Sequence, residues 1–515
     1  VSAFNENTVE LAALEYFAEL GYRTLHGPDI APGEPGAERD SYEDVFLWGR
    51  LRDAIRRINP STSPALIDEA IKRVRRAESQ SPIDANYRLP QLITEGVPVE
   101  HRDADGSLRT TRLWLVDFEQ PENNDWVAIN QFTIVENGKN RRPDVLVLLN
   151  GMPLALLELK NPAAEHATLK SAWNQVQTYR QDIPSVFVPN AVTVISDGTS
   201  AAMSSYAGAF EHYAPWKTIE GREVVSNRPA LEVLIKGVFE PKRFLDIVQN
   251  FVVFSDETVT DNATGQPTRV LVKRVAKYHQ YWAVNAAVES TVQASQPDGD
   301  RRGGVVWHTQ GSGKSFEMVF YAAKIMRDPR MANPTLVFIT DRNDLDDQLF
   351  GETFAPARIL PETPVQATTR SDLRVKLKRA SGGIIFTTLQ KFAPGEDGDA
   401  NPVLTDRRNV VVVADEAHRS QYGYGGTLER HGHLRSGLAG TPIESSDKST
   451  RSVFGDYVDV YDLTRAVEDG ATVKIFYESR LAKIDLSDQD LATLDELADK
   501  ITETVEEDAA SAAKS

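Results

Sequence analysis

Apolar residues recur at helical spacing from Val9 through Leu11, Leu14, Phe17 and Leu20, and Gly21 follows as a natural stop. The pattern predicts a helix over 4–20 and two more over 44–58 and 64–78, separated by Asn59-Pro60. A loop rich in proline, glycine and acidic residues fills 27–43. From about 97 to 160 the period shortens to that of strands: Leu113–Phe118, Trp126–Val135, Val145–Leu149 and Leu154–Leu159. Asn137-Gly138 and Asn150-Gly151 punctuate them, and the second is a hairpin signal. Val192–Ser196 predicts another strand, and Pro229–Val238 with Pro241–Phe251 a helical pair. The polar stretch Asp256–Pro267 predicts a domain boundary near 245–260. Beyond it, apolar runs at Val305–Trp307, Thr335–Thr340, Ile384–Thr388 and Val410–Ala414 alternate with loops and helical stretches, as a parallel α/β sheet requires.

The run Val305–Trp307 leads into a loop of small residues, Gly311, Ser312 and Gly313, and Lys314-Ser315 open a helix. A strand, a small-residue loop and Gly-Lys-Ser at a helix start form a nucleotide phosphate site. Loop and helix-start N–H groups face the phosphates, and the helix dipole favours negative charge there. Lys314 supplies a cation to the outer phosphates, and the Ser315 hydroxyl is placed for Mg2+. His308 stands where the generic pattern has glycine. Val410–Ala414 ends in Asp415-Glu416-Ala417-His418. There Asp415 can hold Mg2+ through water, Glu416 can polarise the attacking water, and His418 can couple nucleotide state to the domain. Gln280, at a helix start upstream of the loop, is a candidate reader of the adenine edge. The segments Asp341–Leu345 and Leu389–Phe392 follow strands, where such sheets carry their sites, and Leu434–Gly440 runs into Gly440-Thr441-Pro442.

A second constellation lies earlier. Asp144 opens one apolar strand, and Glu158 and Lys160 sit two apart on the next, across the Asn150-Gly151 turn. Two carboxylates and a backbone carbonyl suit Mg2+, and Lys160 can orient water or stabilise charge. Gln175 and Tyr179, four apart, share a helix face.

Composition narrows the picture. No apolar run approaches the length of a membrane span, and the sequence has no cysteine for disulfides or thiolate metal sites. The expectation is a cytoplasmic protein. The net charge of −18 excludes a diffuse electrostatic grip on nucleic acid, so any DNA contact should be local and patchy.

Asp144, Glu158, Lys160, Gln175 and Tyr179 resemble the PD-(D/E)xK nuclease fold in its RecB-like form. There the Asp, Glu and Lys are catalytic and a Gln-x-x-x-Tyr helix follows. That family often adds an upstream acidic residue or His, for which Glu10 is the candidate. The order phosphate loop, Asp-Glu-Ala-His, Gly-Thr-Pro resembles the first RecA-like lobe of superfamily 2 helicases and translocases. The strings W-H-T-Q-G-S-G-K-S, T-D-R-N-D-L-D-D-Q, D-E-A-H-R-S-Q-Y-G and L-A-G-T-P-I, with a nuclease in front, resemble the motor/nuclease subunit of type I restriction enzymes.

The resemblance implies an α/β endonuclease domain over 1–250, a first RecA-like lobe over 251–465, and the start of a second lobe or a linker over 466–515. It implies ATP and Mg2+ as cofactors, with Gln280, Thr309, Gly311, Ser312, Gly313, Lys314, Ser315, Asp415 and His418 on the nucleotide. Mg2+ would be held by Asp144 and Glu158 at one site and by Ser315 and Asp415 at the other. The implied partners are double-stranded DNA and the DNA-specificity and methyltransferase subunits of a restriction complex. Such subunits are longer and carry a second-lobe arginine that completes the ATP site. No such motif is visible here, so the chain alone is expected to bind ATP and turn it over poorly. Two alternatives stay open: a repair-type helicase–nuclease, and a nucleotide-gated DNA-binding scaffold whose nuclease is inactive.

Overall fold

The computed structural model describes residues 6–78, 82–102, 106–161, 168–260, 266–340, 348–392, 405, 407–415, 434–439, 451 and 454–472. Two sheets organise them. The first holds six strands side by side in chain order: β1 Arg23–His26, β2 Trp126–Asn130, β3 Val145–Leu149, β4 Met152–Leu159, β5 Val192–Ser196 and β6 Ala201–Ser204. β1/β2 and β4/β5 are parallel, and the other neighbours are antiparallel. Every residue of β2, β3 and β4 is buried, which is why these runs are apolar without alternation. Helix α1 (Glu6–Glu19) packs on β1, β2 and β4, and helix α2 (Leu169–Asp182) on β4 and β5.

The β3–β4 hairpin turns on Asn150 at φ 54° and Gly151 at φ 80°, the pair of left-handed residues that a type I′ turn needs. The turn is anchored as well as tight. Asn150 Nδ2 donates to Leu115 O at 2.9 Å and to Asn124 Oδ1 at 2.8 Å, and its Oδ1 accepts from Asp125 N at 2.7 Å. A Cβ on Gly151 would overlap the Leu47 carbonyl. Asn137-Gly138 makes a second hairpin, between Ile134–Glu136 and Lys139–Arg141.

Two expectations shift. The strand expected at Leu113–Phe118 lies instead at Leu108–Leu113, paired with Val97–Arg102. It stops because the Asn59 side chain takes both backbone groups of Trp114, at 3.0 and 2.9 Å, in place of a neighbouring strand. The strand expected over Trp126–Val135 ends at Asn130, because Gln131 adopts φ 55° and turns the chain off the sheet. Within the polar stretch expected as a boundary, Asp256–Thr260 and Pro267 belong to an antiparallel ribbon, Val252–Thr260 against Pro267–Val275, and 261–265 lie outside the described residues. The Pro267–Arg269 end of this two-stranded arm is exposed, and its polar residues read locally like a linker.

The second sheet has β7 Arg302–His308, β8 Thr335–Thr340, β9 Val365–Gln366, β10 Ile384–Thr388, β11 Val410–Ala414, β12 Leu434–Ala439 and β13 Tyr457–Tyr461. Their order is β9-β10-β8-β11-β12-β7-β13, and every neighbouring pair is parallel. All strand C-termini therefore lie on one edge, as the alternating pattern predicts for an α/β sheet. Helices α3 (Tyr278–Ser295) and α4 (Lys314–Arg327) pack on each other, and α3 also packs on β7, β12 and β13. One apolar core runs through both sheets. Phe251 belongs to it and packs on α3 and α4, with ring centroids 4.8 Å from Tyr281 and 5.6 Å from Phe320. Among the described residues no helix is long and apolar enough to cross a membrane. Asp341–Leu345, Glu416, His418, Gly440-Thr441-Pro442 and 473–515 lie outside the described residues.

Candidate active sites

The first sheet brings the acidic constellation together. Asp144 sits just before β3, and its Oδ2 accepts from Leu159 N on β4 at 2.6 Å. Glu158 is buried within β4, and Lys160 Nζ lies 2.5 Å from its Oε1. Lys160 is fixed in turn by its own N–H, which donates to Ser196 O at 2.9 Å. Helix α2 starts on a capping box between Thr168 and Ser171 and carries Gln175 and Tyr179. Tyr179 is buried and donates to Arg142 O at 3.4 Å. Burial, and then the charges of Glu158 and Asp144, hold its phenol above the ordinary value, with Gln175 also in hydrogen-bonding reach. Glu10 reaches the same place from α1. It is buried, accepts from Gln131 Nε2 at 2.9 and 2.7 Å, and its charge is felt at Asp144.

Burial pushes the Asp144 carboxyl up to about 8, and the charge of Glu158 adds to the effect. Two carboxylates this enclosed repel each other, and the Leu159 N–H and then the Lys160 charge relieve Asp144 only in part. An oxygen-donor set under that strain fits a hard divalent cation such as Mg2+.

At the second sheet, the loop after β7 turns on Gly311 at φ 85° and Gly313 at φ 94° before α4 begins at Lys314. Lys314 Nζ donates to His308 O at 3.2 Å and Thr309 O at 3.4 Å, so the ammonium lies inside the loop. Gln280 is buried against the same loop. Its Nε2 donates to Gly313 O at 3.2 Å, and its Oε1 accepts from Lys277 N at 2.9 Å. Both ends of the amide are thus engaged by the loop and the start of α3. Gly311, Ser312, Gly313, Gln280 and Phe316 border a cavity of about 160 Å³. Asp415 follows β11 on the same sheet edge, and its N–H donates to Ile339 O at 3.0 Å. Ser315 lies in the first turn of α4. A small-residue loop bordering a cavity, a lysine and a helix-start hydroxyl fit a nucleotide's phosphates and their Mg2+.

Behind the loop is a buried charge network that local sequence patterns do not reveal. His308 Nδ1 lies 2.8 Å from Glu317 Oε1, and its Nε2 lies 3.3 Å from Asp459 Oδ1. Asp459 also meets Arg222 at 3.1 Å. Burial alone would lower the His308 pKa, but Glu317 and Asp459 together outweigh it and raise it to about 9. His279 stacks on Tyr461 at 3.9 Å, and burial lowers its pKa to about 4. His279, His308 and Glu317 are the group of three metal-type ligands that lies closest among the described residues. Both His308 nitrogens already face carboxylates, however, and a proton satisfies that arrangement without a metal. Glu317 was findable, two residues past Ser315. Asp459 is 151 residues from His308, beyond any local signal.

Residues 3–211 match the family described as type I restriction enzyme R protein N terminus (HSDR_N), and residues 279–511 match SWI2/SNF2 ATPase. The type I restriction enzyme HindI endonuclease subunit of Haemophilus influenzae is 39% identical, over 94% of this chain and 47% of its own length. A protein of Methanocaldococcus jannaschii, provisionally named as the type I restriction enzyme MjaIXP endonuclease subunit, is 33% identical over 96% of this chain and 48% of that one. The type I restriction enzyme SauMSSORF170P endonuclease subunit of Staphylococcus aureus is 27% identical over 75% of this chain and 39% of its own. The chain spans about half the length of the curated relatives it matches most fully. With an R-protein N terminus in front, an SWI2/SNF2 ATPase region behind it and this identity along nearly all its length, the chain belongs to the endonuclease-subunit family of type I restriction enzymes.

Proposed function

We propose that this chain supplies the nuclease and the nucleotide-binding lobe of a restriction subunit that translocates duplex DNA with ATP and cuts unmodified DNA. It would act with DNA-specificity and methyltransferase subunits. The observation that carries this reading is the convergence of Asp144, Glu158 and Lys160 on one hairpin, with Tyr179 packed against them and a Gly-Ser-Gly-Lys-Ser loop on the second sheet. Asp144 and Glu158 would hold Mg2+, which polarises the scissile phosphate and activates water. Lys160 stabilises charge that develops on the phosphate, and Gln175 with Tyr179 positions the carboxylates. Lys314 and the loop N–H groups bind the nucleotide phosphates, Ser315 and Asp415 the associated Mg2+. Glu416 orients the attacking water, and His418 couples the nucleotide to the lobe. Gln280 braces the loop on which the adenine-side contacts depend.

Lys160→Ala in the assembled complex should lower plasmid cleavage by about 10²–10³-fold and leave ATP hydrolysis intact. Lys314→Ala should do the reverse to ATP hydrolysis, and with it abolish cleavage that depends on translocation. If Lys160→Ala removed both activities, the two-site assignment would fail.

A further inference from the structure

The chain is acidic as a whole, with 57 Lys and Arg against 75 Asp and Glu, yet one hollow has the opposite sign. It lies between the helix Pro64–Glu78, the helix Pro82–Glu95 and the hairpin Val97–Arg102/Leu108–Leu113, and encloses about 560 Å³. Among the described residues four arginines line it, Arg73, Arg76, Arg88 and Arg112, against one carboxylate, Glu95. The helix Pro64–Glu78 explains part of this. Ile67, Ile71 and Val74 are buried on one side, which leaves the Lys-Arg-Val-Arg-Arg run of 72–76 to present its charges outward.

Two of the guanidinium groups, Arg73 and Arg112, are held by backbone carbonyls. Arg73 donates to the Pro98 carbonyl, with Glu69 3.5 Å away, and Arg112 donates to the Glu95 carbonyl at 2.6 Å. The Arg112 stem lies over Gly96, where a Cβ would come within 2.8 Å of it. Arg88 makes no ion pair among the described residues. Carbonyl tethers orient a guanidinium without cancelling its charge, so the hollow keeps a net positive field.

We propose that this arginine hollow is a docking surface for the phosphate backbone of duplex DNA, outside both candidate active sites. The proposal rests on the reading of the chain as DNA-acting. Forked guanidinium donors suit phosphate oxygens, and phosphate contacts position a duplex without reading its sequence. Among the described residues the lining offers only Ala77, Leu92 and Pro98 as apolar contacts and no aromatic side chain, so it favours phosphates over the side chains of an acidic peptide.

The test is fluorescence anisotropy of the 515-residue chain with labelled duplexes of unrelated sequence over a series of KCl concentrations. Arg88→Ala with Arg112→Ala should weaken binding equally for all duplexes and reduce the slope of log K against log [KCl] by about 2. Arg88→Ala alone breaks no ion pair and should reduce it by about 1. The Arg88→Lys/Arg112→Lys pair should restore the slope. Wild-type binding whose slope the alanine variants leave unchanged overturns the hollow and spares the DNA reading. A wild-type chain that binds no duplex overturns both. Alanine variants that lose poly-glutamate binding and keep the duplex slope reassign the hollow to an acidic protein.

Discussion

The two candidate sites are built over different sequence distances. In the first, Asp144 bonds the backbone of Leu159, 15 residues on, across a hairpin of two buried strands. In the second, the phosphate loop is local, but its support is not. His308 leans on Asp459, 151 residues away, and Gln280 on Gly313, 33 away. A hairpin brings its chemistry together by its own register. A parallel sheet sets residues side by side only after the whole sheet has formed, because its neighbours are joined by crossovers. The hairpin site should therefore depend on a few turn residues, and the nucleotide loop on a distant charge network.

The largest effect on stability should come from the network. Removing His308 leaves two buried carboxylates facing each other, and breaking a buried pair in this way costs about 3–5 kcal/mol. Urea unfolding of His308→Ala measures it, and a loss under about 1 kcal/mol would mean that the carboxylates pair elsewhere. The pH dependence sharpens the point. The folded pKa, about 9, lies above the unfolded value near 6.5. The contribution of His308 is therefore complete below about 6.5 and is lost as pH rises through about 9. The difference in stability between wild type and His308→Ala should shrink over that window, and a difference that stays flat would contradict the imidazolium.

Gly151→Ala probes the hairpin. Its φ of 80° is left-handed, and an added Cβ would overlap the Leu47 carbonyl. A cost of about 1–3 kcal/mol is expected, with cleavage impaired before ATP binding. If ATP binding fell first, the two sites would not be independent in the way their construction implies.

The legible parts of the molecule follow the same division. Asn150-Gly151 and the unbroken apolar runs beside it carried enough local information to place Asp144, Glu158 and Lys160 together. The repeated strand–loop–helix pattern likewise implied a parallel sheet with its loops on one edge. What was not legible depended on side chains acting on distant backbone. Asn59 ends a strand by occupying Trp114, and the polar end of the ribbon Val252–Thr260/Pro267–Val275 reads as a linker because its partner strand supplies the order. The buried pairing of His308 belongs to the same class. Its position in the loop stood out as a departure from the usual glycine, but only the folded sheet brings Asp459 to it.

The smallest predicted effect tests whether α2 is as self-contained as the hairpin it serves. Thr168 has extended backbone at φ −142°, and its Oγ1 accepts from Ser171 N at 3.0 Å while its own N–H donates to Ser171 Oγ at 3.1 Å. Both bonds satisfy backbone or side-chain groups at the first turn of the helix that carries Gln175 and Tyr179. Thr168→Ala should cost about 1 kcal/mol, and Thr168→Ser should recover most of it. Because Tyr179 is three residues from the end of α2, which packs against β4, fraying at Thr168 should reach Gln175 first. The expected signature is a modest fall in the rate of cleavage by the assembled complex at unchanged ATP hydrolysis. A fall in ATP hydrolysis of the same size would show that the first turn of α2 supports the second sheet as well, and the contrast between a locally built site and a remotely supported one would weaken accordingly.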